Sequence, residues 1–127
     1  MVGNVSGMWG HASEISPEEA QKDYQDILID NEEVKAAFLL IRDVFMFTNK
    51  RFILIDVQGV TGKKVEYLSI PYKSIRYFSV ETAGTFDRDA EFKIWVGGGE
   101  GPAVVKEIKK GFDIIGLQNT LASFILD

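Results

Sequence analysis

The chain of 127 residues contains no cysteine, a single histidine (His11) and three prolines. Without cysteine there is no disulfide scaffold, no thiolate zinc site and no cysteine nucleophile. One imidazole excludes any site that needs two. Long apolar runs are lacking as well. The longest is the six residues 36–41, far short of the roughly 20 that a membrane-spanning helix requires. No positive residue precedes an apolar run in residues 1–12, so no export signal is expected and the cytoplasm is the expected location. Positive charge is also scarce: 14 Lys plus Arg stand against 19 Asp plus Glu, a net charge of −5. Nucleic-acid binding rests on clustered positive charge, so a generic nucleic-acid binder is not expected.

What is present reads as one globular domain. Hydrophobic residues make up 46% of the chain and charged residues 26%, a balance that supports a packed core rather than disorder. Charge is unevenly spread. Residues 1–33 hold eight acids and one base, a net −7, whereas 34–127 hold 11 acids and 13 bases, a net +2. An acidic N-terminal helix lying over basic surface on its own or a neighbouring subunit is the expectation that follows.

Residues 1–15 are small, Gly-rich and aperiodic, and read as a loose arm carrying Met8 and Trp9. A helix over 16–29 follows. Ser16 can cap it, Pro17 suits its first position and Glu19 completes a capping box. Ala20, Tyr24, Ile27 and Leu28 then form one apolar stripe. From Val34 the period changes to that of strands, expected at 34–41, 44–48, 51–57, 64–70, 75–81, 90–96 and 103–110. Pro71 cannot donate to a ladder and marks a strand end. A second helix over 113–126 is capped by Asp113 and carries a stripe of Ile114, Leu117, Leu121, Phe124 and Ile125. Gly116 weakens that helix by roughly 1 kcal/mol relative to Ala.

Several segments together carry a family resemblance. They are Phe47-Thr48-Asn49-Lys50-Arg51, Gln58-Gly59-Val60-Thr61-Gly62-Lys63-Lys64, Ser69-Ile70-Pro71-Tyr72-Lys73-Ser74-Ile75, and the run Glu81-Thr82-Ala83-Gly84 with Asp87 and Asp89-Ala90-Glu91-Phe92. In this order they resemble the bacterial pleckstrin-homology domain family over residues 14–127. The resemblance implies a mainly β (α+β) fold: a seven-stranded barrel, or orthogonal sheets, spanning 34–110 and capped by the C-terminal helix, with the N-terminal helix as an addition. It further implies a cyclic homo-oligomer and no enzymatic activity.

The residues offer little catalytic chemistry. Gly59-Val60-Thr61-Gly62-Lys63-Lys64 departs from a phosphate-binding P-loop, with Val57 and Lys64 where Gly and Ser or Thr belong. It reads as a turn, and so does Gly97–Pro102. Asp87, Asp89 and Glu91 alternate like calcium ligands, but Phe92 stands where an EF-hand loop needs glycine. His11 with Ser13 lies in the arm, away from any rigid support. No catalytic residue, metal ligand or cofactor is therefore expected.

Two function classes remain. The first is a non-catalytic interaction or scaffold domain that binds itself or another protein through exposed strand edges, with Phe38, Phe45 or Trp95 available for burial. The second is a peripheral anionic-lipid or phosphate-binding module using Lys50, Arg51, Lys63 and Lys64. The first hairpin argues against the second class, since it offers only Arg42, followed at once by Asp43, with Lys35 far back on the strand. An enzyme of unassigned class is the least supported alternative.

Overall fold

The computed structural model describes residues 14–82 and 89–126. The arm residues Met8, Trp9, His11 and Ser13, and Asp87 of the alternating acids, lie outside the described residues. The chain divides into two compact units, 1–70 and 71–127.

The first unit opens with β1 (Glu14–Ile15), which pairs antiparallel with β2 (Val34–Leu39) through Ile15 and Ala37. These two residues had been expected within the loose arm. Helix α1 (Pro17–Asp23) then starts as its sequence dictates: the Glu19 amide donates to Ser16 Oγ at 3.1 Å, with Pro17 in the first turn. It is shorter than the 16–29 expected. Tyr24 leaves helical geometry (φ −118°) and a 3-10 turn covers Gln25–Ile27. The apolar stripe still works, because Ala20, Tyr24, Ile27 and Leu28 all pack on one face of the sheet.

That sheet runs in the order β1-β2-β3-β4-β5, with β3 (Val44–Thr48), β4 (Arg51–Gln58) and β5 (Lys64–Pro71). Register decides its two faces. Ala37, Met46 and Ile53 are paired across β2, β3 and β4, as are Leu39, Val44 and Ile55, and they meet α1. The other face carries Phe38, Phe45 and Leu54, then Phe47 and Phe52, all buried. Phe45 and Phe52 meet edge to face at 5.7 Å, and Phe47 lies 5.1 Å from Phe52. Edge-to-face rings gain attraction beyond their buried area. Every residue of β3 is buried, so a strict polar alternation is absent there.

The second unit is a meander of β6 (Ile75–Glu81), β7 (Ala90–Val96) and β8 (Val104–Ile108), followed by α2 (Ile114–Ile125). Phe92, Ile94, Val104 and Ile108 face one side and, with Leu117 and Leu121 of α2, are buried. Tyr72, in a 3-10 turn over Tyr72–Ser74, stacks on Phe124 of α2 at 5.0 Å. Asp113 caps α2 by accepting the Gly116 amide at 2.9 Å. A Cβ at position 116 would collide with the Asp113 carboxylate. The glycine that weakens the helix is thus the one that admits its cap.

The expected mainly β fold with a helix at each end is present, and of the two expected forms, a barrel or separate sheets, the barrel is corrected. Eight strands are present among the described residues, in one sheet of five and one of three, and neither closes on itself. Strand periodicity reports which residues alternate, but closure depends on long-range pairing that periodicity does not contain. Pro71 does end β5, as expected from its missing amide.

Candidate functional site

The Thr48-Asn49-Lys50-Arg51 turn between β3 and β4 is built as a lock. Thr48 Oγ1 accepts the amides of Lys50 and Arg51, each at 3.0 Å, which fixes the turn. The same hydroxyl donates to Glu32 Oε2 at 2.7 Å. Arg51 Nε donates to Oε2 of Glu32 at 2.8 Å and Nη2 to Oε1 at 2.9 Å. Two of its other donors reach the Ile27 carbonyl and Ser69 Oγ, both at 2.7 Å. The Ile27 carbonyl belongs to the 3-10 turn after α1, so one guanidinium ties that segment, β4 and β5 together. Asn49 adds a second tie, accepting the Glu33 amide at 2.7 Å and donating to the Asn31 carbonyl at 3.0 Å. Gln21 of α1 closes the set: it accepts the Val34 amide and donates to the Glu32 carbonyl.

The Glu32 side chain has no exposed surface and Arg51 is 23% exposed. Burial alone would raise the Glu32 pKa. The Arg51 hydrogen bonds dominate, helped by the Ile29 amide and Thr48, and hold it at about 2 against an ordinary 4.5. The same pairing raises the Arg51 pKa. Arg51 is one of the four cations expected to bind a ligand. The structure places it in an internal ion pair, with Lys50 beside it exposed.

Lys63 and Lys64 lie elsewhere. They precede and open β5, at the other end of the eight-residue strand β4, a separation of about 23 Å at strand rise. The four cations expected as one site are therefore not brought together. Instead, Lys63 and Lys64 share an end with Arg42. The Arg42 guanidinium donates to the Gly59 carbonyl, and a Cβ at Gly62 would lie 3.3 Å from Arg42 Nη2. A signal for this existed in the sequence. In an antiparallel meander the first and third turns fall at one end and the second at the other.

The outer face of the second sheet carries the remaining feature. Tyr77 stacks on Trp95 at 4.7 Å, the Arg76 guanidinium lies 5.7 Å from the Tyr77 ring, and Val105 on β8 is half exposed. The alternating acids are engaged by lysines: Asp89 with Lys109 at 3.3 Å and Glu91 with Lys93 at 3.3 Å. Among the described residues, no cluster of three or more His, Asp or Glu is placed to hold a metal. No helix there is long and apolar enough to cross a membrane.

This is the architecture of a pleckstrin-homology-like fold: two mostly antiparallel sheets, a C-terminal helix and a short N-terminal helix. The chain belongs to the bacterial PH domain family, which it matches over residues 3–125. It is similar to the uncharacterised protein YjqA of Bacillus subtilis (strain 168), at 52% identity over 96% of this chain and 98% of the relative. A pleckstrin-homology domain from Shewanella amazonensis SB2B, solved by crystallography, superposes with a TM-score of 0.85 at 52% identity, covering 97% of this chain and 98% of that one. A DUF1696 family protein with a pleckstrin-homology domain, from Shewanella loihica PV-4, gives 0.76 at 55% identity, covering 90% and 97%.

Proposed function

We propose that the chain is a non-catalytic, cytoplasmic interaction domain that assembles into a cyclic homo-oligomer. The observation that carries this reading is the edge position of β8. Among the described residues β8 is the last strand of its three-stranded sheet, with β7 as its one neighbouring strand, and an edge strand is a place where a sheet can be extended by another chain. Val105 stands half exposed at this edge, on the same face as the Tyr77–Trp95 stack. Apolar surface beside an edge strand is the combination that strand addition between subunits uses. A ring requires a head-to-tail contact between two different surfaces of each copy. The outermost strands β1, β5 and β6 supply other edges for the second half of that contact.

Static light scattering tests the reading. The expected result is a single species at a whole multiple of 14.2 kDa, shifting towards one copy in a Val105→Asp variant. A monomer across micromolar to near-millimolar concentration would remove the proposal.

A further inference from the structure

On the reading above that copies self-assemble, we propose that the turn 29–32 of one copy docks on the outer face of the second sheet of the next. Ile29 seats against Tyr77, Trp95 and Val105, and Asp30 meets Arg76. The presenting turn is rigidly built. The Glu32 amide donates to the Ile29 carbonyl at 3.1 Å, and the Ile29 amide to Glu32 Oε1 at 3.0 Å. Asn31 takes φ +64° within it, a left-handed conformation that asparagine tolerates. The Asn31 carbonyl is held by Asn49, and the Glu32 carboxylate by Arg51. Arg51 also joins the Ile27 carbonyl to Ser69, so the turn stands near the end of β5, an outermost strand of its sheet. Glu32 is buried in this network while Ile29 is 61% exposed. The lock thus holds an aliphatic side chain out in water, with Asp26 and Asp30 exposed on either side of it in sequence.

The receiving face is shaped by a bulge. Ile75 pairs with Val96 and Tyr77 with Trp95, so Arg76 is the extra residue of β6. Neighbours in a regular strand point to opposite faces, and a bulge re-aims one of them. Here it brings the Arg76 guanidinium to 5.7 Å from the Tyr77 ring centroid. The Arg76 stem passes beside Gly97, where an added Cβ would lie 3.7 Å from Cδ. Register sets Val105 diagonally across from Trp95 on the same face, because Val105 pairs with Lys93. Four residues along the strands, Glu81, Glu91 and Glu107 stand directly opposite one another across β6, β7 and β8, about 13 Å away at strand rise. Lys93, between the two rows, is paired with Glu91. The face therefore has an aromatic end with a cation and an acidic end.

Charge selects which surface fits. Exposed aliphatic side chains also stand at two other turns, Ile41 and Val60, but cations accompany them: Arg42, Lys63 and Lys64. Arg76 repels those turns and attracts the one flanked by Asp26 and Asp30. The glutamate row repels the same aspartates, which directs the incoming turn to the aromatic end. Burying Ile29 against the rings removes apolar surface of both copies from water, and a guanidinium fork suits the Asp30 carboxylate. The two surfaces are different parts of the chain, as a head-to-tail contact requires.

The test is light scattering of the full chain over a concentration series, with exposed side chains altered so that the fold is kept. Ile29→Ser should raise the concentration needed for assembly on the order of tenfold. Asp30→Arg and Arg76→Asp each place like charges together and should raise it on the order of a hundredfold. Combining Asp30→Arg with Arg76→Asp in one chain restores opposite charges and should recover most of the assembly. Lys63→Glu, at the opposite end of β4 from the turn, should assemble as the unaltered chain does. An unaltered chain that stays monomeric removes the self-assembly reading and this contact with it. An unaltered chain that assembles, with masses unmoved by Asp30→Arg and Arg76→Asp, keeps that reading and overturns the contact alone. Failure of the combined variant to regain assembly, while each single change abolishes it, overturns the pairing of Asp30 with Arg76.

Discussion

Arg51 grips both carboxylate oxygens of Glu32, at 2.8 and 2.9 Å, across 19 residues of sequence. This bidentate pair is the joint between the segment that follows α1 and the β3–β4 hairpin. Fork-shaped geometry suits a guanidinium and is lost with lysine, whose ammonium is a point donor.

Breaking the joint from one side should therefore be costly. Arg51→Met leaves a buried carboxylate without its cation and is expected to lower unfolding free energy by about 3 kcal/mol, read from urea midpoints at constant slope. Arg51→Lys should recover only part of this. The double variant Glu32→Leu/Arg51→Met should be more stable than Arg51→Met alone, because removing both charges leaves none unpaired. Additive effects of the two single changes would disprove the coupling.

The same pair sets an acid limb. Glu32 titrates at about 2 in the folded chain against an ordinary 4.5. A carboxylate with a lowered folded pKa contributes stability above its unfolded pKa, and that contribution is lost as pH falls through the folded value. Stability from Glu32 should thus hold above pH 4.5 and decline between 4.5 and about 2. Chemical unfolding across this range should show a shallower decline in Arg51→Met. An identical profile in both proteins would assign the acid limb to other carboxylates.

Gly116 offers a prediction of opposite signs in two backgrounds. In a helix interior Gly→Ala should stabilise by about 1 kcal/mol. Here the added methyl displaces the Asp113 cap, and losing a cap costs about 1 kcal/mol. Gly116→Ala should accordingly be close to neutral in the unaltered chain and stabilising by about 1 kcal/mol in an Asp113→Ala background. Thermal melts of the four proteins complete the cycle, and equal effects in both backgrounds would show that the cap and the glycine are independent.

Much of the architecture was legible in the sequence because the forces that set it are local. Ser16, Pro17 and Asp113 announce helix starts through their own backbone preferences, and alternation from Val34 onward announces strands. The motif run from Phe47 to Phe92 pointed to the bacterial pleckstrin-homology family, which the fold and the matched relatives bear out. α1 ended early because Tyr24 and the turn after it answer to Arg51 and the sheet face, not to neighbours in sequence.

The sequence by itself determined which residues alternate, where the ladder must stop and which chemistries lack their residues. Tertiary structure decided what each cation does. Lys50 and Arg51 are adjacent, yet one faces water and the other completes a buried pair with a carboxylate 19 positions earlier. Lys63, Lys64 and Arg42 are far apart in sequence, yet antiparallel pairing sets them at one end of β4. Local propensity acts over a few residues, whereas charge partners and shared surfaces are assigned by strand register, which exists only once the chain has folded.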